Sequence, residues 1–451
     1  MGPPGVELFK FALYDCLLKK YIIMVNGKEI IFEDVDEALK YVLQQEKVSL
    51  ENDEFRQKPP FMVSTPCLFN YLFESKEMGR EISTDSLDSP FSAYFNEAPD
   101  DEVFIMNRLA SGRYSLKPNL KNRHYLFRGE SEFHSPCKPN LFRDSRQNYY
   151  IEEVIRVNEM LLLLLSHPLV QLLDLGVMLH GEKYRFEMNL YGLAQHYYNK
   201  SCLLDLTSNP QVAAFFATSM YDAKKDSYVP IVDVNHENGI LYYYDLDLHA
   251  DFKIGMMGMR SPLSTIGLQV FPRSGAQYGF LYALEREEDF NNVARLHAVR
   301  FKHKASASKK YNELFHSGRD LFPDDILAKH WKDQDNKTLS DRTVLLNLLF
   351  NPSSTKEEIV RELLEIGYKI ENYQPSFTED EMDEYYDSIK AGSWENFCNK
   401  IYIPGDKGEL KKELLNLPNK PEYKWAFEKG IKHQINYRDG YLLRMYEACL
   451  V

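Results

Sequence analysis

Five consecutive leucines, Leu161–Leu165, lie in an apolar stretch running from Met160 to Leu179. Hiding one such side chain from water is worth roughly 1.5–3 kcal/mol, so something must enclose the run. Ser166, His167, Pro168, Gln171 and Asp174 interrupt it, leaving fewer than the ~18 apolar residues a bilayer-spanning helix requires. The enclosure is therefore protein. The pattern predicts a long amphipathic helix over Tyr149–Leu165, ending near Pro168 and followed by a shorter one. Gln211–Ala217 is small and apolar almost throughout, which predicts a second helix buried on most sides.

The chain has 451 residues, room for about three units at ~150 residues each. Its 44% hydrophobic and 27% charged residues are those of an ordinary globular protein. Up to about residue 110 the segment is mixed: Lys28–Phe32 reads as a short strand, Val35–Val48 as a helix, and Ser83–Asp101 as a loop. From 111 to 335 strands alternate with helices. Tyr125–Phe127, Pro230–Val234, Ile240–Asp245, Gly279–Leu284 and Leu296–Phe301 are strand-like runs. After about 335 the chain turns helical. Ser354-Thr355-Lys356-Glu357 and Thr378-Glu379-Asp380-Glu381 have capping-box form, and Leu345, Leu348 and Leu349, then Ile359, Leu363 and Ile366, supply apolar faces. The expected class is α+β, in three parts: 1–110, 111–335 and 336–451.

With 54 Lys+Arg against 67 Asp+Glu the formal charge is −13, a field that repels phosphate backbones over most of the surface. Six widely spaced cysteines include no CxxC pair, so neither a disulfide framework nor a metal site is expected. Met1–Gly5 lacks the start of a secretory signal, and a cytoplasmic location without membrane attachment is the expectation. Walker A, GxGxxG, HExxH and GxSxG motifs are absent.

The residues that carry chemistry come in four groups. Phe127-Arg128-Gly129-Glu130 places an Arg at a strand end, a ready bidentate ligand for phosphate or carboxylate, with a Gly that lets backbone approach a ligand. An exposed Arg in a turn is the plainer alternative. Between 111 and 150 eight basic residues face three acidic ones, a local excess of +5 that favours an anion site. Gln195-His196-Tyr197 precedes Leu203-Leu204-Asp205-Leu206-Thr207-Ser208-Asn209-Pro210. Asp205 and Thr207, two apart on an extended segment, face one side, and Thr207, Ser208 and Asn209 equally suit a helix cap. Arg273-Ser274-Gly275-Ala276-Gln277-Tyr278-Gly279-Phe280 and Leu321-Phe322-Pro323-Asp324 complete the set.

In this order and spacing, together with Pro139-Asn140-Leu141-Phe142-Arg143, the motifs resemble the FRG domain, named for its (F/Y)-R-G motif, over about half the chain. Tyr198 and Leu206 depart from the family pattern, which often has Gly and an aromatic there. The layout is also similar to ADP-ribosyltransferases of the Arg–Ser–Glu type, which implies a mixed, split β-sheet core and NAD as substrate. By that resemblance Arg128 and Gly129, with His196, Thr207 and Ser208, hold NAD. Arg128, His196, Asp205, Thr207 and Gln277 line one catalytic cleft. Gln277 stands where a catalytic Glu is expected and is neutral, so Asp205, Glu130 or His196 would supply charge or proton transfer. The resemblance implies an ADP-ribosyltransferase or NAD glycohydrolase, a bacterial toxin or antiviral effector, with a protein or nucleic-acid acceptor and flanking segments that restrain the core or meet a regulatory partner. The alternative is a module that senses NAD, ADP-ribose or another anion without turnover.

Overall fold

A computed structural model describes residues 21–22, 24–25, 28–29, 31–53, 103–108, 113–143, 149–198, 201–233, 238–246, 262–333, 337–350, 354–404 and 406–419. The Ser83–Asp101 loop and Arg146 lie outside them. The class is α+β. Eight strands form the largest sheet: β1 (Tyr21–Ile22), β2 (Ile31–Phe32), β3 (Tyr125–Glu130), β4 (Leu203–Thr207), β5 (Gly239–Asp245), β6 (Leu263–Thr265), β7 (Gly279–Ala283) and β8 (Leu296–Phe301). Their spatial order is β8-β5-β3-β4-β7-β6, with β1 and β2 both pairing β8. Those two pairings are parallel and the rest antiparallel, so the sheet is mixed.

Strand period dictates what lies on each face. In β5, Ile240, Tyr242 and Tyr244 enter one core with Leu204, Leu206 and Phe280, while Leu241 and Tyr243 enter another on the opposite face. That opposite face carries two groups of helices. Helix α1 (Val35–Asn52), helix α5 (Pro210–Thr218) and helix α7 (Ala305–Leu314) cover β3, β5 and β8. Helix α2 (Tyr149–Ser166), helix α4 (Leu190–Tyr198) and helix α8 (Ile326–Asp333) cover the β4–β7 side. Between the groups β3 meets β4 at a single residue pair, Phe127 with Thr207. There the sheet splits.

All five leucines of the run are at most 5% exposed in α2, and α3 (Pro168–Leu175) follows as expected. The amphipathic expectation is corrected, because Arg156, Asn158 and Glu159 on the same helix are buried too. Glu159 accepts from the Thr343 and Tyr373 hydroxyls and from Ser340 N, so the C-terminal segment encloses the polar side of α2. No helix among the described residues is long and apolar enough to cross a membrane.

Three further expectations change. The strand placed at Pro230–Val234 is Ser227–Pro230, paired with Ser219–Asp222 in a hairpin. Pro230 has no N–H to continue a ladder. The first capping box is Thr355 with Glu358, one residue on from the expected pair, while Thr378 with Glu381 forms as expected. Among the described side chains of the helix Asp341–Phe350, Thr343, Val344, Leu346 and Asn347 are buried and Leu345 half-buried, while Leu349 lies outside them. Val344 and Leu346 enter different cores, so this helix is covered on two sides and no single apolar stripe describes it. Ile401–Tyr402 pairs parallel with Phe104–Ile105, and Phe104–Arg108 pairs with Tyr114–Pro118. Contacts therefore cross both 110/111 and 335/336.

Candidate functional site

The splay between β3 and β4 opens a cleft of about 1,090 Å³, and Arg128, His196, Asp205, Thr207 and Gln277 all line it. Arg128 and Asp205 point differently. With Phe127 opposite Thr207, Gly129 and Asp205 share the helix-covered face, and Arg128 leaves the strand on the other side. The guanidinium bridges the gap where ladder bonds are missing, Nη1 donating to the Asp205 carbonyl at 2.8 Å. Its Nε donates to Glu130 Oε1 at 2.7 Å, and Nη2 lies in an ion pair 2.7 Å from the same oxygen. Burial, the largest single effect, works against the Arg128 charge, but Glu130 together with its neighbours, Asp205 among them, holds the guanidinium firmly protonated. Below this pair, burial and then Glu130 push the Cys137 thiol up to about 12.

Gly129 has a packing duty. A Cβ there would stand 1.8 Å from the Ala213 carbonyl oxygen and 2.8 Å from Ala217 N. The missing side chain lets α5 lie directly on β3, and the room it leaves is taken by that helix and not by a ligand.

Asp205 is a partly accessible carboxylate of the cleft, its side chain 37% exposed, and the exposed Asp226 and Asp324 also line it. Gln195 Nε2 donates to Oδ2 at 3.0 Å, and the Ser201 hydroxyl donates to Gln195 Oε1 at 2.5 Å, which fixes the amide's orientation. His196 Nε2 lies 3.6 Å from Asp205 Oδ1. Burial, the larger effect, lowers the His196 pKa against the pull of Asp205, which keeps the ring neutral at pH 7.

Thr207, Ser208 and Gln277 are buried and hold the cleft in shape. Thr207 Oγ1 donates to the Gln277 carbonyl at 2.7 Å and accepts from Asn209 N at 3.0 Å. Ser208 N donates to the Tyr278 carbonyl at 3.3 Å. Asn209 caps α5 by accepting from Gln211 N, with Pro210 in the first turn, so the helix-cap alternative is what forms. Gln277 follows the short helix α6 (Pro272–Ala276), and its Nε2 donates to the Leu321 carbonyl at 3.0 Å, tying the third motif to the fourth.

The local +5 disperses. Arg113 pairs with Asp174 at 2.6 Å and Arg123 with Glu46 at 3.0 Å, while Lys138 donates to the Arg286 carbonyl. Of the eight basic residues, Arg128 and Arg143 line the cleft. Arg273 and Tyr197 also line it, with the Arg273 Cζ 4.5 Å from the Tyr197 ring centroid. Both stood in the quoted motifs without an assigned role, as did Gln195. Their importance depends on contacts made across many residues of sequence. Among the described residues, no cluster of three or more His, Cys, Asp or Glu could hold a metal ion.

Comparison with curated proteins and with solved structures yields no match. The family model for the FRG domain matches residues 123–226, which takes in β3, α4, β4 and α5 but stops short of Gln277. Residues 123–226 of the chain therefore carry an FRG domain.

Proposed function

We propose that the cleft binds NAD and cleaves its nicotinamide–ribose bond, passing ADP-ribose to an acceptor or to water. What carries the reading is the accessible Asp205 carboxylate, held by Gln195 and backed by a neutral His196, in a cleft shared with Arg128. Breaking the bond sends its electron pair to the nicotinamide nitrogen and cancels the pyridinium charge. Positive charge then gathers at the ribose C1′, where an adjacent carboxylate stabilises it. The acceptor hydroxyl or water adds at C1′, and its proton leaves to the Asp205–His196 pair. Gln277, buried and donating to Leu321, positions the cleft wall in this scheme and carries no charge. A guanidinium has five N–H groups. Arg128 donates one to Glu130 and one to Asp205, with Nη2 in the Glu130 ion pair, and the N–H groups left on Nη1 and Nη2 suit ribose hydroxyls.

One observation favours the sensing alternative: the polar groups of Thr207 and Gln277 are spent within the fold, and Arg128 is neutralised by Glu130. Incubating the full chain with NAD and analysing the products by mass spectrometry separates the two. The transferase reading predicts free nicotinamide with ADP-ribose free or attached to an added protein or nucleic acid. The sensing reading predicts bound NAD recovered intact. A cytoplasmic toxin or defence effector, held in check through its flanking segments, is the setting that fits the first outcome.

A further inference from the structure

One guanidinium in the cleft has no hydrogen-bond partner among the described residues. Arg273 lies in α6, its Cζ over the Tyr197 ring at 4.5 Å and 5.8 Å from the Phe322 ring centroid. Tyr197 is held in place, its hydroxyl donating to Asp325 Oδ2 at 2.5 Å, while Asp325 Oδ1 accepts from Ala328 N. Asp325 is near enough to feel the Arg273 charge, but its oxygens serve the Tyr197 hydroxyl and the α8 amide. Among the described residues nothing accepts from the Arg273 guanidinium, and its Nε is buried without a hydrogen-bond partner. Leaving such a donor unmet is unfavourable. A guanidinium held by its face on an aromatic ring keeps its N–H edge for an acceptor.

The other cleft cations are committed or solvated. Arg128 pairs with Glu130 and Lys329 with Glu384, while Arg143 and Arg319 are exposed, each donating Nε to a backbone carbonyl. Beside Arg273, Tyr228 and Phe322 stack at 5.0 Å with 15° between their planes, and Phe216 meets Phe322 edge-on. A cation next to an aromatic wall matches a ligand that joins an anion to a flat ring.

We propose that Arg273 is the anion-binding residue of the cleft and takes a phosphate oxygen of a nucleotide, while Arg128 braces the split sheet. The nucleotide part of this rests on the function proposed above. The anion part does not.

The test is calorimetric titration of the full-length chain with inorganic pyrophosphate and with ADP-ribose. Both are expected to bind the wild type, and Arg273→Gln to weaken both by about 10- to 100-fold, the range for one charge-assisted hydrogen bond. Arg273→Lys should recover part of the loss. Both variants should stay folded, since no hydrogen bond of the fold is removed, with Arg273→Gln lowering the unfolding midpoint only by the loss of its ring contacts with Tyr197 and Phe322. Binding of both probes undiminished in Arg273→Gln, or no binding of either to the wild type, overturns the proposal. If pyrophosphate binds in an Arg273-dependent way and ADP-ribose does not bind, the anion site stands and the NAD reading falls. ADP-ribose binding that ignores Arg273→Gln sinks the role of Arg273 and leaves the NAD reading intact.

Discussion

The Arg128 guanidinium donates to the Asp205 backbone carbonyl across the point where β3 and β4 part, at 2.8 Å. One side chain thus replaces the missing rungs of the ladder and sets the position of the strand that carries Asp205. Arg128→Ala would remove that brace and strand Glu130, 8% exposed, without its cation. Removing one partner of a buried pair costs about 3–5 kcal/mol. Urea unfolding should register a loss of that size. The double variant Arg128→Met/Glu130→Gln should lose less than Arg128→Ala alone, because no charge is left buried.

Gly129→Ala should fail to fold or unfold at much lower temperature. Its Cβ would meet the Ala213 carbonyl, a backbone atom that cannot swing aside. Gly181, at φ +82° with open space around it, is the control. Its Ala variant meets backbone strain alone, about 1–2 kcal/mol. Comparing the two thermal midpoints checks the point.

Gln277→Glu should not create a better catalyst. The substitution removes the donor to the Leu321 carbonyl and puts a carboxylate beside that oxygen in a buried place. A drop in unfolding midpoint with no gain in nicotinamide release is expected. A rise in release without loss of stability would restore the catalytic role implied by the transferase resemblance.

Stability should fall on the acid side through His167. Burial lowers its pKa to about 3, against 6.5 in the unfolded chain. Above pH 6.5 neither state holds the proton. Below it the unfolded state binds a proton that the folded state refuses, at about 1.4 kcal/mol per pH unit. Going from pH 7 to pH 5 should therefore cost about 2 kcal/mol from this residue. His167 Nδ1 accepts from Leu169 N at the start of α3, a cap that Asn can also form. His167→Asn should flatten the acid limb of the stability curve, which denaturant titrations at several pH values would show.

Much of the fold was legible because it rests on local pattern. The leucine run, the Asn209 cap and the strand-like run Ile240–Asp245 are visible in local composition and spacing. Pro230 misplaced a strand because apolar character extended past the residue that ends the ladder. The candidate cleft was legible as a set of motifs through the family resemblance, but the division of labour within it was not. Arg113, Arg123 and Arg128 raised the local charge count, and each is met by a carboxylate, in Glu46 and Asp174 one far away in sequence. Arg273 is distinguished by having no such partner among the described residues, and that is a property of three-dimensional neighbours.

The most direct measurement is nicotinamide release from NAD by the full-length chain, wild type against Asp205→Asn, with calorimetric binding of ADP-ribose as the control for an intact cleft. Asn can still accept from Gln195 Nε2 but brings no negative charge to C1′. Release by the wild type that falls about 100-fold or more in Asp205→Asn, with ADP-ribose affinity preserved, is the predicted result. No release by the wild type, or equal release by the variant, would contradict the assignment of Asp205 as the catalytic carboxylate.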